Sequence, residues 1–354
     1  MAVIGVLVLV HEFGHFIFAR RAGMKVEEFG FGFPPRIWGK KKGDTTYSIN
    51  LIPFGGFVKI FGENGGHQSE TGSFSSKSVT SRLKVIVAGV VMNLLLAVFL
   101  LTVANFMGLR IDVTGQDIAA QALYKKVQII KIVPNSPADK AGLTLLDEII
   151  GFKDAANNTI YVSSTAEVRD FVLKNLGHKI AILIRKGNDI AAKEVEPRVN
   201  PPPGEGALGI EMALTGIVYY PWYESIWRGV YATYIILTNT LIGYGILFKT
   251  LFTTGKLLAD VSGPVGIATL TGQAARIGIS FLIQFVAMIS VNLAVLNILP
   301  FPALDGGRAL MIVIEKIKGS PLNKRAEALI NAVGFAFLVT LMVYVTIKDV
   351  VKFF

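Results

Sequence analysis

Cysteine is absent from the 354 residues, which excludes disulfides and thiolate metal ligands while leaving the compartment open. Histidine is scarce: four residues must carry any chemistry that needs an imidazole. Charge is missing over long stretches. Val85 to Leu109 runs 25 residues without one, Ile277 to Leu304 runs 28, and Ala328 to Ile347 runs 20. About 20 apolar residues cross a bilayer core, so each is long enough to span. The opening block, continued past His15 to Ala19, is a fourth candidate. It lacks the basic leader and small-residue cleavage site of a secretory signal, and a basic pair follows it. A hydrophobic fraction of 52% and a mean hydropathy of +0.54 agree with this reading. The chain is expected to be a polytopic α-helical membrane protein with about four transmembrane helices.

What charge there is has an uneven distribution. Between Arg20 and Lys84 there are 11 Lys/Arg against 5 Asp/Glu, and from Arg308 to Arg325 there are 5 against 1, whereas Arg110 to Glu211 carries 13 of each. Basic residues beside spans mark the cytoplasmic side. The net charge of +10 is therefore read as topology and not as a nucleic-acid footprint. Both basic loops are expected inside, and the neutral segment outside.

The spans divide the chain. Residues 1–24 hold the first helix, and 25–82 follow with "EEFGFGFPPRIWGKKKGDTTYSINLI", in which aromatics alternate with glycine and "GKKKGD" supplies a turn. This reads as a membrane-associated β-hairpin or small sheet, which must pack on protein or lie near the interface because open edges are not tolerated in lipid. Asn64 to Ser81 is polar and Ser-rich and reads as a cytoplasmic loop. Residues 83–109 form the second helix. Residues 110–215 have the texture of a compact α+β domain: "VQIIKIV" and "KIAILIRKG" read as strands, "SPADKAGL" as a short helix ended by Gly142, and "STAEVRDFVLKN" as an amphipathic helix with a Ser/Thr cap. Residues 276–326 hold the third span and a cytoplasmic loop, and 327–354 the fourth. Gly229 to Phe248 is also free of charge over 20 residues. If it crossed, the basic cluster after Arg308 would face outside, so 216–275 is read as an interfacial helix, rich in Tyr and Trp at its start, plus a linker.

His11 and His15 interrupt the first span four residues apart, and on a helix they share one face. That spacing brings both imidazoles within reach of one Zn2+, with Glu12 beside the open coordination position. Zinc lowers the pKa of its bound water to about 7, and Glu12 would serve as general base and then as acid toward the leaving amine. His11 lies roughly 15 Å along the helix, near mid-bilayer, where ionisable groups are costly and mark function. The bland alternative is a pair hydrogen-bonded to neighbouring helices. His67 and His178 lie in polar segments and read as surface residues. A catalytic zinc takes a third protein ligand, and Asp305 in "NILPFPALDGGRAL" is the best candidate, beside Pro300 and Pro302 and at the inner end of the third span. The prolines and "GG" imply an irregular, strand-like entry. Its alternative role is a helix N-cap for "GGRALMIVIEKI".

"HEFGH" together with "NLAVLNILPFPALDGG" resembles the site-2 protease family of intramembrane zinc metalloproteases, and in particular its bacterial branch that cleaves anti-sigma factors. "ARRAGMKVEEFGFGFPP", "YSINLIPFGGFVK" and "SGPVGI" extend the likeness from His11 to about Lys318. The resemblance implies His11, His15 and Asp305 as zinc ligands, Glu12 as catalytic acid/base, and Asn292 and Asn297 near the active site; on sequence alone the two asparagines read equally as interhelical partners. It implies single-span membrane proteins as substrates, the bacterial inner membrane as location, and an active site toward the cytoplasm. Within 110–215, "VPNSPADKAGL" followed by "DEII" resembles a circularly permuted PDZ domain, with Leu146 where a glycine is expected. Such an extracytoplasmic domain would bind substrate ends or screen them sterically. A membrane scaffold with a peptide-binding module and a zinc transporter are the competing readings.

Overall fold

A computed structural model of the chain describes residues 2–63, 69–115, 117–153, 158–186, 189–255, 263–320 and 322–353. Helix α1 (Ala2–Arg21) leads into strands β1 (Val26–Lys42) and β2 (Thr45–Ile60), then helix α2 (Val79–Met107). Next come β3 (Leu109–Asp112), β4 (Leu123–Ile132), α3 (Pro137–Lys140), β5 (Glu148–Lys153), β6 (Thr159–Tyr161), α4 (Thr165–Lys174), β7 (Ile180–Lys186), β8 (Asp189–Val195) and β9 (Ile210–Val218). The chain closes with α5 (Trp222–Thr254), α6 (Pro264–Ile277), α7 (Ile279–Ile298), α8 (Asp305–Lys318) and α9 (Lys324–Phe353). Two compact units result: residues 1–104 with 222–354, and residues 105–221.

In the helical unit, α1 ends on Arg20 and Arg21, cations that suit the negative end of a helix. The turn expected from "GKKKGD" forms at Gly43, in the left-handed conformation that glycine adopts freely. The ribbon it joins is curled: Glu28 to Phe31 pair on one side with Gly56 to Lys59 and on the other with Thr46 to Ile49. Phe16, Val26, Ile60, Val85, Ile86 and Ile312 bury together, so α1, the β-ribbon, α2 and α8 share one core. The stretch expected as a polar loop, of which 64–68 lie outside the described residues, holds a 3-10 turn at Phe74–Ser76, and α2 has already begun at Val79.

Among the described residues, five helices are long and apolar enough to cross a membrane, namely α1, α2, α5, α7 and α9. Four were expected, and the fifth is α5. Its 33 residues continue without a break because the charge-free stretch is preceded by a helix-supporting Glu224–Arg228 pair. Ser225, Gly229 and Thr233 are the buried positions of α5, four apart on one face. At Gly229 the close approach to Thr102 and the Val98 carbonyl of α2 leaves no room for a Cβ. Small residues at such spacing let two backbones approach closely in an apolar medium. Trp222, Trp227 and Tyr231 stay exposed, as aromatics of a membrane interface do.

The second unit is an antiparallel sheet in the order β3-β9-β4-β5-β7-β8, with β6 on β5. Its core holds Ile129, Phe152, Val168 and Ile182, and the Phe152 ring stacks on Phe171 at 4.0 Å. Both short helices start as their sequences imply. Ser136 accepts the Asp139 N–H ahead of α3, which Gly142 ends in the left-handed region, and Ser164 accepts the Glu167 N–H ahead of α4. Backbone and hydroxyl hydrogen bonds from Ser163 hold the Glu167 carboxyl below the usual carboxylate range. The unit is wider than the expected 110–215, because β9 runs on to Val218 and pairs there with Leu109. Leu146 takes the backbone conformation a glycine would take there, with φ 69°. Its N–H donates to the Ile129 carbonyl at 2.8 Å, so the turn is kept despite the side chain.

Candidate metal centre

One helical turn separates His11 from His15, and their Nε2 atoms lie 3.1 Å apart with the rings edge to face. Asp305 reaches them from 290 residues downstream, with its Oδ2 2.8 Å from His11 Nε2 and 3.2 Å from His15 Nε2. A tetrahedral zinc with bonds of about 2.0–2.2 Å needs its ligand atoms about 3.3 Å apart. The three donors therefore converge to within about half an ångström of that spacing. Two imidazoles and a carboxylate form a zinc-type set, and three protein donors leave one position for water. Both histidines are buried, with exposures of 4% and 7%.

Asp305 gets there through the residues around it. A Cβ on Gly306 would strike the carbonyls of Ile298 and Leu299, and one on Gly307 would strike that of Phe301. Only glycines let the Pro-flanked loop fold this tightly over the start of α8. The Ala303 N–H donates to Asn331 Oδ1, and Phe301 packs on Phe337, so α9 pins the loop from the other side. The strand-like entry expected here does not form. Instead, α8 begins at Asp305 itself, and the cap position falls to Leu304, which makes no side-chain bond. The carboxylate thus faces the histidines and is not used as an N-cap.

Glu12 turns to the β-ribbon, where its Oε2 accepts the Val58 N–H at 3.1 Å. The ligating atoms of His11, Glu12 and His15 all fall within 4.8 Å of one another, which makes Glu12 a formal alternative third ligand. Asp305 is the better one, since a single oxygen of it lies within 3.2 Å of both Nε2 atoms. A cavity of about 170 Å³ opens beside Glu12, His15, Val58 and Asp305. It shares Glu63, Ile86 and Arg308 with a second cavity of about 740 Å³.

Helix α2 supplies three further parts. The Val85 carbonyl accepts from His15 Nδ1 at 2.8 Å, Gly89 lies under both rings, and Asn93 sits 3.3 Å from His11 Nδ1. None of these was singled out from the sequence. The available signal was a glycine and an asparagine four apart in a span otherwise almost wholly apolar.

The two downstream asparagines separate. Asn297 brings its amide nitrogen within 3.4 Å and 3.5 Å of the two His11 ring nitrogens. Asn292 bonds to Tyr244 of α5 and to the Met288 carbonyl, which fits its alternative reading as an interhelical partner. Consequently Asn292→Leu should leave both zinc content and cleavage within about twofold of native, whereas Asn297→Leu should lower kcat by about 10²–10³-fold if that amide serves a developing oxyanion. Turnover measured with one single-span substrate separates the two. His178 is exposed and bonds to the Leu176 carbonyl, as a surface residue would. His67 lies outside the described residues.

Residues 1–341 match peptidase family M50. The chain belongs to that family. This M50 peptidase is 36% identical to a Clostridium perfringens protein provisionally named a zinc metalloprotease, over 98% of the chain and 95% of the relative. It is 28% identical to the zinc metalloprotease RasP of Geobacillus kaustophilus, covering 100% and 97% of the two chains, and 29% identical to the regulator of sigma E protease of Haemophilus influenzae, covering 99% and 97%. The M50 chain is thus a zinc-dependent metalloendopeptidase of the site-2 type, built on several apolar helices. Family membership decides for the peptidase over the scaffold and the transporter.

Proposed function

We propose that this M50 peptidase hydrolyses peptide bonds within or beside the transmembrane segments of single-span proteins, such as anti-sigma factors or remnant signal peptides. His11, His15 and Asp305 hold the zinc and Glu12 is the acid/base. The observation that carries this reading is the meeting of three zinc-type donors, with a carboxylate one residue from the first, between helices apolar enough to cross a membrane.

When bound, zinc supplies the Lewis acidity that makes water acidic enough to ionise near neutral pH. The chain's own residues do the rest. Glu12 takes the proton from the attacking water and delivers it to the leaving amine. The Asn297 amide donates to the oxygen on which charge develops. The 740 Å³ cavity, which meets the smaller one at Glu63 and Arg308, gives water a polar way to an otherwise apolar site.

A substrate helix hides its peptide bonds in its own hydrogen bonds, so it must unwind before hydrolysis. The Gly56 to Ile60 part of β2 lies next to Glu12 and can pair with an extended segment by strand addition, replacing bonds the helix gives up. Glycine or proline in the substrate's membrane segment should therefore speed cleavage by about tenfold over a polyleucine segment, in line with a helix-interior cost of about 1 kcal/mol per glycine and about 3 kcal/mol per proline. Purified peptidase incubated with both substrates, with and without a zinc chelator, tests the whole reading. Equal rates would remove the unwinding step, and cleavage that survives the chelator would remove the metal.

The charge bias favours an inner-membrane protein whose basic loops and active site face the cytoplasm and whose 105–221 unit lies outside. On that topology α5 stays on the outer side without a full crossing, since a fifth span would carry the Arg308 cluster outside. The 105–221 unit acts as a PDZ-like module, and the β9 edge from Ile210 to Ala213, which β3 leaves uncovered, is where a peptide would add.

A further inference from the structure

A histidine that gives Nε2 to a metal must carry its proton on Nδ1, and that N–H needs an acceptor to fix tautomer and ring orientation. His15 has one in the Val85 carbonyl, which can only accept. Among the described residues, no carbonyl accepts from His11 Nδ1. Its neighbour there is the Asn93 side chain at 3.3 Å. Asn297 does not substitute, because its amide nitrogen is nearly equidistant from both ring nitrogens and aligned with neither lone pair.

Asn93 is fully buried, and the position is an odd one for an amide. Among the described residues its Oδ1 has no hydrogen-bond partner, and its side-chain bond is to His11. A half-satisfied amide in a span is costly, and a leucine would fill the space without that cost. What holds the residue in place is the backbone, whose carbonyl accepts from Ser290 Oγ at 2.8 Å and fixes α2 against α7 at this depth. With the amide nitrogen toward Nδ1, the ring proton is on Nε2, facing Asp305. The oxygen and nitrogen of an amide exchange places by a half-turn about one bond. Only the exchanged orientation leaves the Nε2 lone pair for an ion.

We propose that Asn93 is the positioning residue for the first histidine: its amide oxygen accepts the Nδ1–H of His11 and so presents Nε2 to zinc. Resting on the His11–His15–Asp305 reading, this extends the site by a residue on a different helix, at one remove from the metal. Asn93 touches no reacting atom.

The test is zinc affinity of the full-length protein in detergent, measured by competition with a chromogenic chelator, alongside the absorption of the Co2+-substituted form. Loss of an outer partner of this kind weakens metal binding by about 10–100-fold. Asn93→Leu should show that loss while its zinc-free form unfolds no earlier than zinc-free native protein. Asn93→Asp, which can only accept, should bind zinc as tightly as native or more tightly, and should keep the native Co2+ spectrum. A packing role predicts the opposite order, since an aspartate is the worse fit to an apolar site. Native affinity in Asn93→Leu, or a tenfold loss in Asn93→Asp, overturns the proposal. Should Asn93→Leu fail to fold, the aspartate variant alone decides by the same criterion. His15→Ala measured in parallel keeps the two levels apart: if it retains zinc, the metal-site reading itself fails, whatever Asn93 does.

Discussion

Glu12→Gln should bind zinc at native stoichiometry and cleave its substrate about 10²–10⁴-fold more slowly, the usual worth of a positioned acid–base group. The amide is the same size as the carboxylate and still offers an oxygen to the Val58 N–H at the distance now seen, so the β-ribbon contact survives. What is lost is the ability to take a proton from water and return it to the amine. Metal content by atomic emission and turnover on a single-span substrate give the two readouts. His15→Ala and Asp305→Ala should behave differently, losing metal and activity together, because each removes an atom that is within 3.2 Å of another donor. Rapid turnover in Glu12→Gln would rule out Glu12 as the base. Loss of metal in that variant would instead make Glu12 a ligand, the alternative that its closeness to both histidines leaves on the table.

The centre was more legible in the sequence than its surroundings because its signals are of the kind that composition makes loud. Two histidines and a glutamate inside a charge-free run stand out against lipid, where every ionisable group needs a reason. Asp305 stood out the same way, as the first charge after 28 residues without one. The cap of α4 was readable because Ser164 acts on a residue three positions away, and the end of α3 because Gly142 follows it. The residues that were missed act across the fold. Gly89, Asn93 and the Val85 carbonyl matter only because α2 lies against α1, and nothing local in "VIVAGVVMN" says which neighbour it will meet. The edge of the 105–221 unit was set short for a similar reason: "GIVYY" has the texture of an approaching membrane segment, and it is pairing with Leu109 to Ile111 on one side and with Leu123 on the other that makes Gly216–Val218 a strand. Asn292 and Asn297 could not be told apart along the chain, since five residues on a helix turn one toward α5 and the other toward His11.

Gly89→Ala should lower zinc affinity by about 10²-fold or more and carry cleavage down with it, although none of the candidate metal donors is replaced. An added Cβ would lie 2.6 Å from His15 Nε2 and 2.7 Å from His11 Nε2, inside any normal contact distance. Something must move. Helix α2 has nowhere to go, because Gly14 of α1 leaves the Ala88 carbonyl no slack either, and His15 is tied to the Val85 carbonyl one turn away. The imidazoles give way instead. A metal site tolerates only about 0.2 Å of error in its ligand distances, and a 1 Å misplacement costs about 10²-fold in rate. The sign of the stability change identifies the cause. Alanine is the better helix former by about 1 kcal/mol, so a protein that merely needed α2 would unfold at the same temperature or higher. A variant that, compared zinc-free with zinc-free, melts no earlier than native, holds little zinc and cleaves slowly is therefore the expected result. Native zinc content in folded Gly89→Ala would mean that α2 lies farther from the histidines in the working enzyme, and the packing of the centre would have to be redrawn.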